Sequence, residues 1–306
     1  MENYTDKFIS NLPESVIKSF NNSHIDLILE GGSFNGSYQA GCLLYLKEME
    51  TKGYLKIDRI SGASIGSIMA FLYLTNNLDL IDDLYKLVYN NFKENYNLSI
   101  IKKFKKILID KERLPDKILD LVNKKLYISY YNLEKSKKII KKTYKSIDDV
   151  FDSLIKSCYL PFLIDGNFIY KNKYHDGITP FIFPTESTKR ILYLDILEFD
   201  KLFNTCSIKN EFSNDNRVLT GLIDINNFFI KGHTTSICSF IDQWGIYHHL
   251  KLLIKQICEK LMIINVYIFL YLNKNIYPSL RSSTFYSLFE KTIYEIYKIL
   301  ITSYCI

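Results

Sequence analysis

The sequence predicts an α/β protein of three layers, α/β/α, with a mainly parallel central sheet and a helical C-terminal extension. Three observations lead there. Short apolar runs at residues 25–29 and 55–60 each end at glycine and give way to a helical apolar pattern. Strand-like and helix-like segments keep alternating through the first two hundred residues, as in parallel sheets joined by helices. Beyond residue 240 the alternation stops and helical, aromatic-rich segments remain.

Residues 12–20 suit a short helix ending at the turn-prone Asn21-Asn22-Ser23, so residues 1–22 read as an N-terminal helix ahead of a core over residues 23–200. The first strand, residues 25–29, is apolar and bounded by polar residues. Gly31-Gly32 breaks it, and residues 38–49 place Ala40, Leu43, Leu44 and Leu46 at helical spacing. The second strand, residues 55–60, passes through Gly62-Ala63-Ser64-Ile65-Gly66 into an apolar helix at residues 68–74. Helical character continues at residues 79–92, 100–111 and 116–122, and residues 126–131 read as a strand rich in Tyr and Ile. Ser146, with Asp149 three residues later, fits a capping box opening a helix to about Cys158, stopped before Pro161. Residues 168–170 and 173–175 look like two short strands around a tight turn at Lys171-Asn172, and residues 191–196 like a further strand. Residues 204–216 are polar and loop-like, and residues 201–306 are expected to be a helical extension packed on the core.

Composition narrows the classes. An apolar share of 47% and a charged share of 24% in 306 residues are those of a folded globular chain, which excludes disorder. Cys42, Cys158, Cys206, Cys238, Cys258 and Cys305 are scattered with no Cys-x-x-Cys pair, and a chain of this size needs no disulfide staples. The polar first eight residues do not resemble a secretory signal, so reduced thiols and a cytoplasmic setting are expected. The longest strongly apolar stretch, residues 261–272, is short of the roughly 20 residues that span a bilayer. The chain therefore reads as soluble or peripheral.

The net charge of +6 is uneven. Residues 101–145 hold fifteen Lys and Arg against five Asp and Glu, a local +10 that leaves −4 elsewhere. That window fits a solvated helix surface, or peripheral contact with an anionic membrane, where each basic residue contributes about 1 kcal/mol. No helix-turn-helix or aromatic-basic module accompanies it, so no nucleic acid partner is expected.

Gly62-x-Ser64-x-Gly66 between a strand and a helix is the arrangement that lifts a serine hydroxyl out of a sharp, strained turn. Small residues two positions either side relieve the crowding, and the following helix aims its positive end at developing negative charge. A plain strand–helix connection needing glycines is the other reading of the same residues. Glu30-Gly31-Gly32-Ser33-Phe34-Asn35-Gly36 ends the first strand and can present successive backbone N–H groups to an anion. It matches neither Gly-x-Gly-x-x-Gly nor a P-loop, so an oxyanion site is the better reading. Asp176-Gly177 closes the predicted hairpin, and alone reads as a turn.

Together, in this order, the three elements resemble the patatin-like phospholipases, which carry a Gly-Gly-Gly-x-Arg-Gly loop, Gly-x-Ser-x-Gly, and Asp-Gly-Gly or Asp-Gly-Ala. Ser157-Cys158-Tyr159-Leu160-Pro161-Phe162 is similar to the stretch preceding the family aspartate, and Pro184 stands where the family commonly has proline. The likeness covers residues 25–195. It implies a Ser-Asp dyad acting on a phospholipid or other lipid ester, with Ser64 the nucleophile and Asp176 the base. It further implies an oxyanion hole at Gly31, Gly32 and Ser33, and neither metal nor cofactor. Three residues depart from the pattern: Ser33 replaces a loop glycine, Asn35 the arginine, and Ile178 a small residue. Were Ser33 to take positive φ, the cost is on the order of 1 kcal/mol.

Other residues are weighed against these. Glu30 suits hydrogen bonding to loop amides, and His175, next to Asp176 on a strand, faces the other way. His248-His249 lacks a second ligand set, while Cys42 and Cys158 lie on apolar helix stretches as core residues. The aromatic helices beyond Tyr247 suit an interfacial surface, a pocket wall, or packing on the sheet. Two alternatives stay open: a catalytically weak or inactive lipid-binding relative, and an esterase with a Ser-His-Asp triad using His233, His248 or His249.

Overall fold

The computed structural model describes residues 2–20, 23–185, 189–198, 200–209, 211–275 and 284–305. Two helices, α1 (Glu2–Ser10) and α2 (Glu14–Phe20), stand in the N-terminal region where one was expected. Pro13 separates them, since proline disfavours helical geometry in the residue before it. The expected turn at Asn21-Asn22 lies outside the described residues. The core continues with β1 (Ser23–Leu29), α3 (Gly36–Thr51), β2 (Leu55–Ala63), α4 (Ile65–Leu74) and α5 (Ile81–Asn95). Next come α6 (Phe104–Asp110), α7 (Ile118–Val122), β3 (Leu126–Asn132), β4 (Lys137–Lys141) and α8 (Ile147–Ser157). Then β5 (Tyr174–Asp176), β6 (Arg190–Leu194), α9 (Asp215–Lys231) and β7 (Cys238–Phe240) precede, among the described residues, the C-terminal helices α10 (Ile246–Asn275) and α11 (Thr284–Leu300).

The sheet has seven strands in the order β4-β3-β2-β1-β6-β7, with β5 joined to β3. β3, β2, β1 and β6 run parallel, while β4, β5 and β7 are antiparallel additions. The mainly parallel α/β architecture is thus the one the sequence predicts. β4 falls in the lysine-rich window at residues for which the sequence predicts no strand. Lysines suit it because it is an edge strand, and edge charges discourage pairing with another chain. Residues 168–170 form no strand. Only Tyr170 bridges to Tyr174, across a tight turn where Lys171 and Asn172 both take positive φ. The Ser146 cap of α8 is as predicted, its Oγ accepting from Asp149 N at 3.2 Å, while the Asp149 carboxylate reaches back to Lys145 N at 3.0 Å and not to the cap's own N–H.

Alternation along β1 sorts the two faces. Ile25, Leu27 and Leu29 enter the main core with side chains of α3, α4, α8 and α9. Ile28 faces a smaller aromatic cluster with Phe183, Ile191 and Tyr193. Asp26 shares that second face and is buried, a position affordable only because Arg59 grips it with Nε and a terminal nitrogen. The Arg59 guanidinium lies 4.7 Å from the Phe183 ring centroid.

α3 and α9 touch through glycine. A Cβ on Gly221 would stand 1.9 Å from the Tyr38 carbonyl oxygen, and one on Gly41 would stand 2.0 Å from that of Val218. Cys42 Sγ donates to the Gly221 carbonyl at the same crossing.

The chain divides into two compact units. One holds Met1–Cys206 with Glu211–Trp244, the other Ser207–Asn210 with Gly245–Ile306. α9 and β7 thus belong to the sheet unit, although the sequence reading ended the core at residue 200. Within the second unit Ile208 N donates to the Cys305 carbonyl at 2.7 Å. Among the described residues no helix is long and apolar enough to cross a membrane.

Candidate active site

The site forms at the carboxyl ends of β1 and β2, where ligands gather in open parallel sheets. Ser64 occupies the single residue between β2 and α4 with φ 51° and ψ −131°, a conformation non-glycine residues rarely adopt. The backbone around it is crowded. A Cβ on Gly62 would fall 2.5 Å from the Gly66 carbonyl, and one on Gly66 would fall 2.4 Å from the Leu29 carbonyl. Ser64 stands at the N-cap position of α4 yet its side chain makes no capping bond. The turn is held instead by its backbone: Ser64 N donates to Ser157 Oγ at 2.9 Å, and Ser157 Oγ donates to the Ser129 carbonyl. Ser67 closes the other side by donating Oγ to the Ser64 carbonyl at 2.7 Å.

The glycine loop follows β1. Its backbone turns at Gly32 and at Ser33, whose φ is 45°, and residues 33–35 form a single 3-10 turn before α3. The departure at Ser33 therefore carries the positive φ that a glycine would take without strain. Ile178 does the same with φ 54°, and for a β-branched side chain the conformation is a clear outlier. Two of the three departures from the family pattern are thus places where the backbone favours glycine.

Register brings Asp176 to the elbow. On one edge of β3, β4 pairs with residues 128–132. On the other, β2 pairs as far as Ala63 opposite Ser129. β5 also pairs with residues 130–132, so it takes the edge that β2 leaves when the chain turns out at Ser64. Asp176 lies opposite Tyr130, one residue along β3 from Ala63's partner. Gly177 packs so close that a Cβ there would meet the Ser129 carbonyl at 2.3 Å. Gly31 completes the assembly: its Cβ position is 3.0 Å from Ser64 Cβ and 3.3 Å from the Ile178 carbonyl. Gly36 abuts Ile65, the residue after the elbow serine.

Asp176 is buried and held at its backbone, where its N–H donates to the Tyr159 carbonyl, and at Oδ1, which accepts from Ile178 N at 2.8 Å. Burial, and next the Asp176 carboxylate, push the Cys158 thiol well above its usual range, and Cys158 packs in the main core. His175 is buried with Nδ1 against the Asp176 carbonyl. Glu30 is buried too, and its charge, after burial, pushes the Tyr193 hydroxyl up. Gln39 Nε2 donates to the Glu30 carbonyl, tying the loop's first residue to α3.

A model of the patatin-like phospholipase family matches residues 27–187, more than half the chain. The chain belongs to this family. No curated protein matches it. The patatin-like match spans β1 to the segment after Asp176, so it takes in Gly31, Ser64 and Asp176 alike. It stops short of a residue that the sequence reading passed over. Asn35, in the place of the family's usual arginine, is fully buried, and its amide donates to the carbonyls of Ile196 and Lys201, both at 2.9 Å. Its Oδ1 accepts from Arg217 Nη1 at 2.9 Å. Arg217 comes from α9, is buried, donates also to the Asn204 carbonyl at 2.7 Å, and pairs with Glu211. Glu211 accepts from the Tyr85 hydroxyl, so one chain of buried and half-buried polar groups links the glycine loop to α5. A trace existed in the sequence: Arg217 sits one and two turns before Gly221 and Ile225, a charge set into the inward stripe of a helix.

Beside Ser64 a cavity of about 110 Å³ opens between α4, α5 and α6. On the same measure about 10–15 Å³ holds one water, so this is room for several. Ser33 and Ser64 line it together with apolar side chains such as Met69, Leu84, Val88, Ile101 and Phe104. Among the described residues no histidine lines it.

Among the described residues, five of the fifteen cations in the basic window are engaged in ion pairs with carboxylates elsewhere in the chain. Lys102, Lys105, Lys111, Arg113 and Lys141 pair with Asp165, Asp148, Asp83, Asp79 and Asp149, all acids from outside the window. Burial alone would raise the Asp165 carboxyl, but hydrogen bonds from Lys102 and Tyr159 hold it down at about 2.

Proposed function

We propose that the chain is a lipid acyl hydrolase of the phospholipase A or lysophospholipase kind, using Ser64 and Asp176 as a dyad. The observation that carries this reading is the strained serine elbow opening on an apolar cavity, with the Asp176 loop brought against it through Gly31. In this reading Asp176 takes the proton of Ser64 Oγ as that oxygen attacks the ester carbonyl. Backbone N–H groups of Gly32 and Ser33 receive the oxyanion, aided by the positive end of α4. The proton passes from Asp176 to the leaving alcohol. A water then gives its proton to Asp176 and attacks the acyl-enzyme, returning Ser64. The acyl chain lies in the cavity, where each buried methylene contributes about 0.8 kcal/mol. kcat/KM should therefore rise with chain length, roughly fourfold per methylene, until the cavity is full.

A fluorophosphonate probe tests the assignment. Ser64 should be the residue acylated, and Ser64→Ala should abolish both labelling and ester hydrolysis. Labelling of another serine would remove the nucleophile assignment, and a folded protein that neither labels nor hydrolyses would leave a lipid-binding relative. Asp176→Asn should cut turnover strongly, whereas His175, His233, His248 and His249 should tolerate replacement. The reverse pattern would restore the triad.

A further inference from the structure

α10 carries a bare apolar seam. Tyr247, Ile254, Leu261 and Ile268 recur every seven residues along it, and Leu250, Ile257, Ile264 and Tyr271 form a second row three residues on. The steps alternate three and four over the whole run, the period of side chains that meet a partner helix in a coiled coil. All eight are between 47% and 65% exposed, while Glu259, Ile263 and Val266, on the opposite side of the same helix, are buried. The helix thus covers one face and leaves the heptad face open. Exposed apolar surface of this extent marks an interaction site.

We propose that this seam is covered by α10 of a second copy of the chain. The area fits. At about half exposure the eight side chains offer on the order of 700 Å² per copy, close to the roughly 800 Å² per partner of a standard interface. Charge fits as well. In a parallel, in-register pair the flanking Lys251 faces Ile246, Lys260 faces Asn265 and Cys258 faces Leu253, so no like charges oppose each other. Lys251, Cys258 and Asn265 border the seam along one side and Lys260 along the other, which suits a narrow helix–helix contact better than the wide apolar face of a helix lying in a lipid surface; Gln256 lies outside these borders. Isoleucine in both rows also tolerates a third or fourth helix in the same bundle.

The test is the mass of the full-length protein by light scattering on a sizing column at about 1–50 µM, since interfaces of this size range from micromolar affinity to tighter. The native chain should run as a dimer or higher oligomer. Ile257→Glu with Ile264→Glu should run as a monomer of unchanged helix content, and Gln256→Glu should keep the native mass. Should the double variant fail to fold, Ile264→Cys replaces it: mild oxidation should cross-link this variant, and Gln256→Cys should give no more than the native Cys258 background. A monomeric native chain, an oligomer that survives the double variant, or absent cross-linking at position 264 overturns the proposal. A native monomer that gains mass only on phosphatidylcholine–phosphatidylglycerol vesicles also overturns it, and gives the seam to lipid.

Discussion

Replacing Arg217 by methionine keeps the length of the side chain and removes the guanidinium that joins α9 to the glycine loop. The loss can be built from the contacts. Asn35 Oδ1 and the Asn204 carbonyl each lose a short N–H donor, with Asn35 fully buried. A buried acceptor left without its donor costs about 1–3 kcal/mol. Glu211 loses its ion pair but is 27% exposed, so water recovers part of that interaction. The sum is roughly 3–5 kcal/mol, the range found when one partner of a buried pair is removed. Urea denaturation followed by circular dichroism reads it as a fall in midpoint of about 1–2 M. Arg217→Lys should recover less than half, because an ammonium cannot serve the loop amide and Glu211 in one planar fork. Combining Asn35→Ala with Arg217→Met should lose less than the two separate losses added, since the pair shares one hydrogen bond. A loss under about 1 kcal/mol for Arg217→Met would refute the reasoning, because it would mean that the guanidinium is hydrated and the loop held otherwise.

Other substitutions follow from the same geometry. Ser33→Gly and Ile178→Gly each relieve a positive φ, and each should raise stability by up to about 1 kcal/mol in the same assay, less the entropy glycine gains on unfolding. Gly221→Ala drives a methyl into the Tyr38 carbonyl, and should lower stability by roughly 1–3 kcal/mol with α3 and α9 forced apart. The depressed carboxyl of Asp165 contributes stability that is present above its ordinary range near pH 4 and lost as pH falls toward 2. Asp165→Asn should flatten that part of an acid-denaturation profile, and an unchanged profile would count against the Lys102–Asp165–Tyr159 cluster. If the basic surface meets anionic lipid, Lys103 and Lys106 are the pair to neutralise, since both are exposed while Lys102 and Lys105 hold acids. Vesicle hydrolysis should fall and weaken with salt, while turnover of a short soluble ester stays unchanged.

Legibility followed how local each signal is. β1, β2 and β3 were readable because a buried parallel strand is a compact apolar run ended by glycine or a polar residue, and α8 because its cap is written in Ser146 and Asp149. β4, β7 and β5 were not, or only in part, since three to five residues carry too little periodicity and their pairing is decided across the sheet. Lys137–Lys141 was hidden further by its charge, which the edge position explains only once the neighbours are known. In the candidate site, Ser64 and the glycine loop could be marked from spacing alone. What joins them could not: Ser157 under the elbow and Arg217 beneath Asn35 are separated from their partners by 93 and 182 residues, and nothing in the local sequence addresses one to the other.

The slot beside β1 has a consequence for anyone wishing to move this site elsewhere. The match to the family ends at residue 187, but β6 is β1's neighbour on the side away from β2, and β7 lies beyond it. A piece cut at the end of the match would carry every residue of the proposed dyad and oxyanion loop. It would also turn the central strand of the sheet into a raw edge, with Ile25–Leu29 offering unpaired backbone groups to any passing chain. The smallest transplantable form of the site is therefore set by hydrogen-bonded neighbours rather than by motif. On this structure it runs through Phe240.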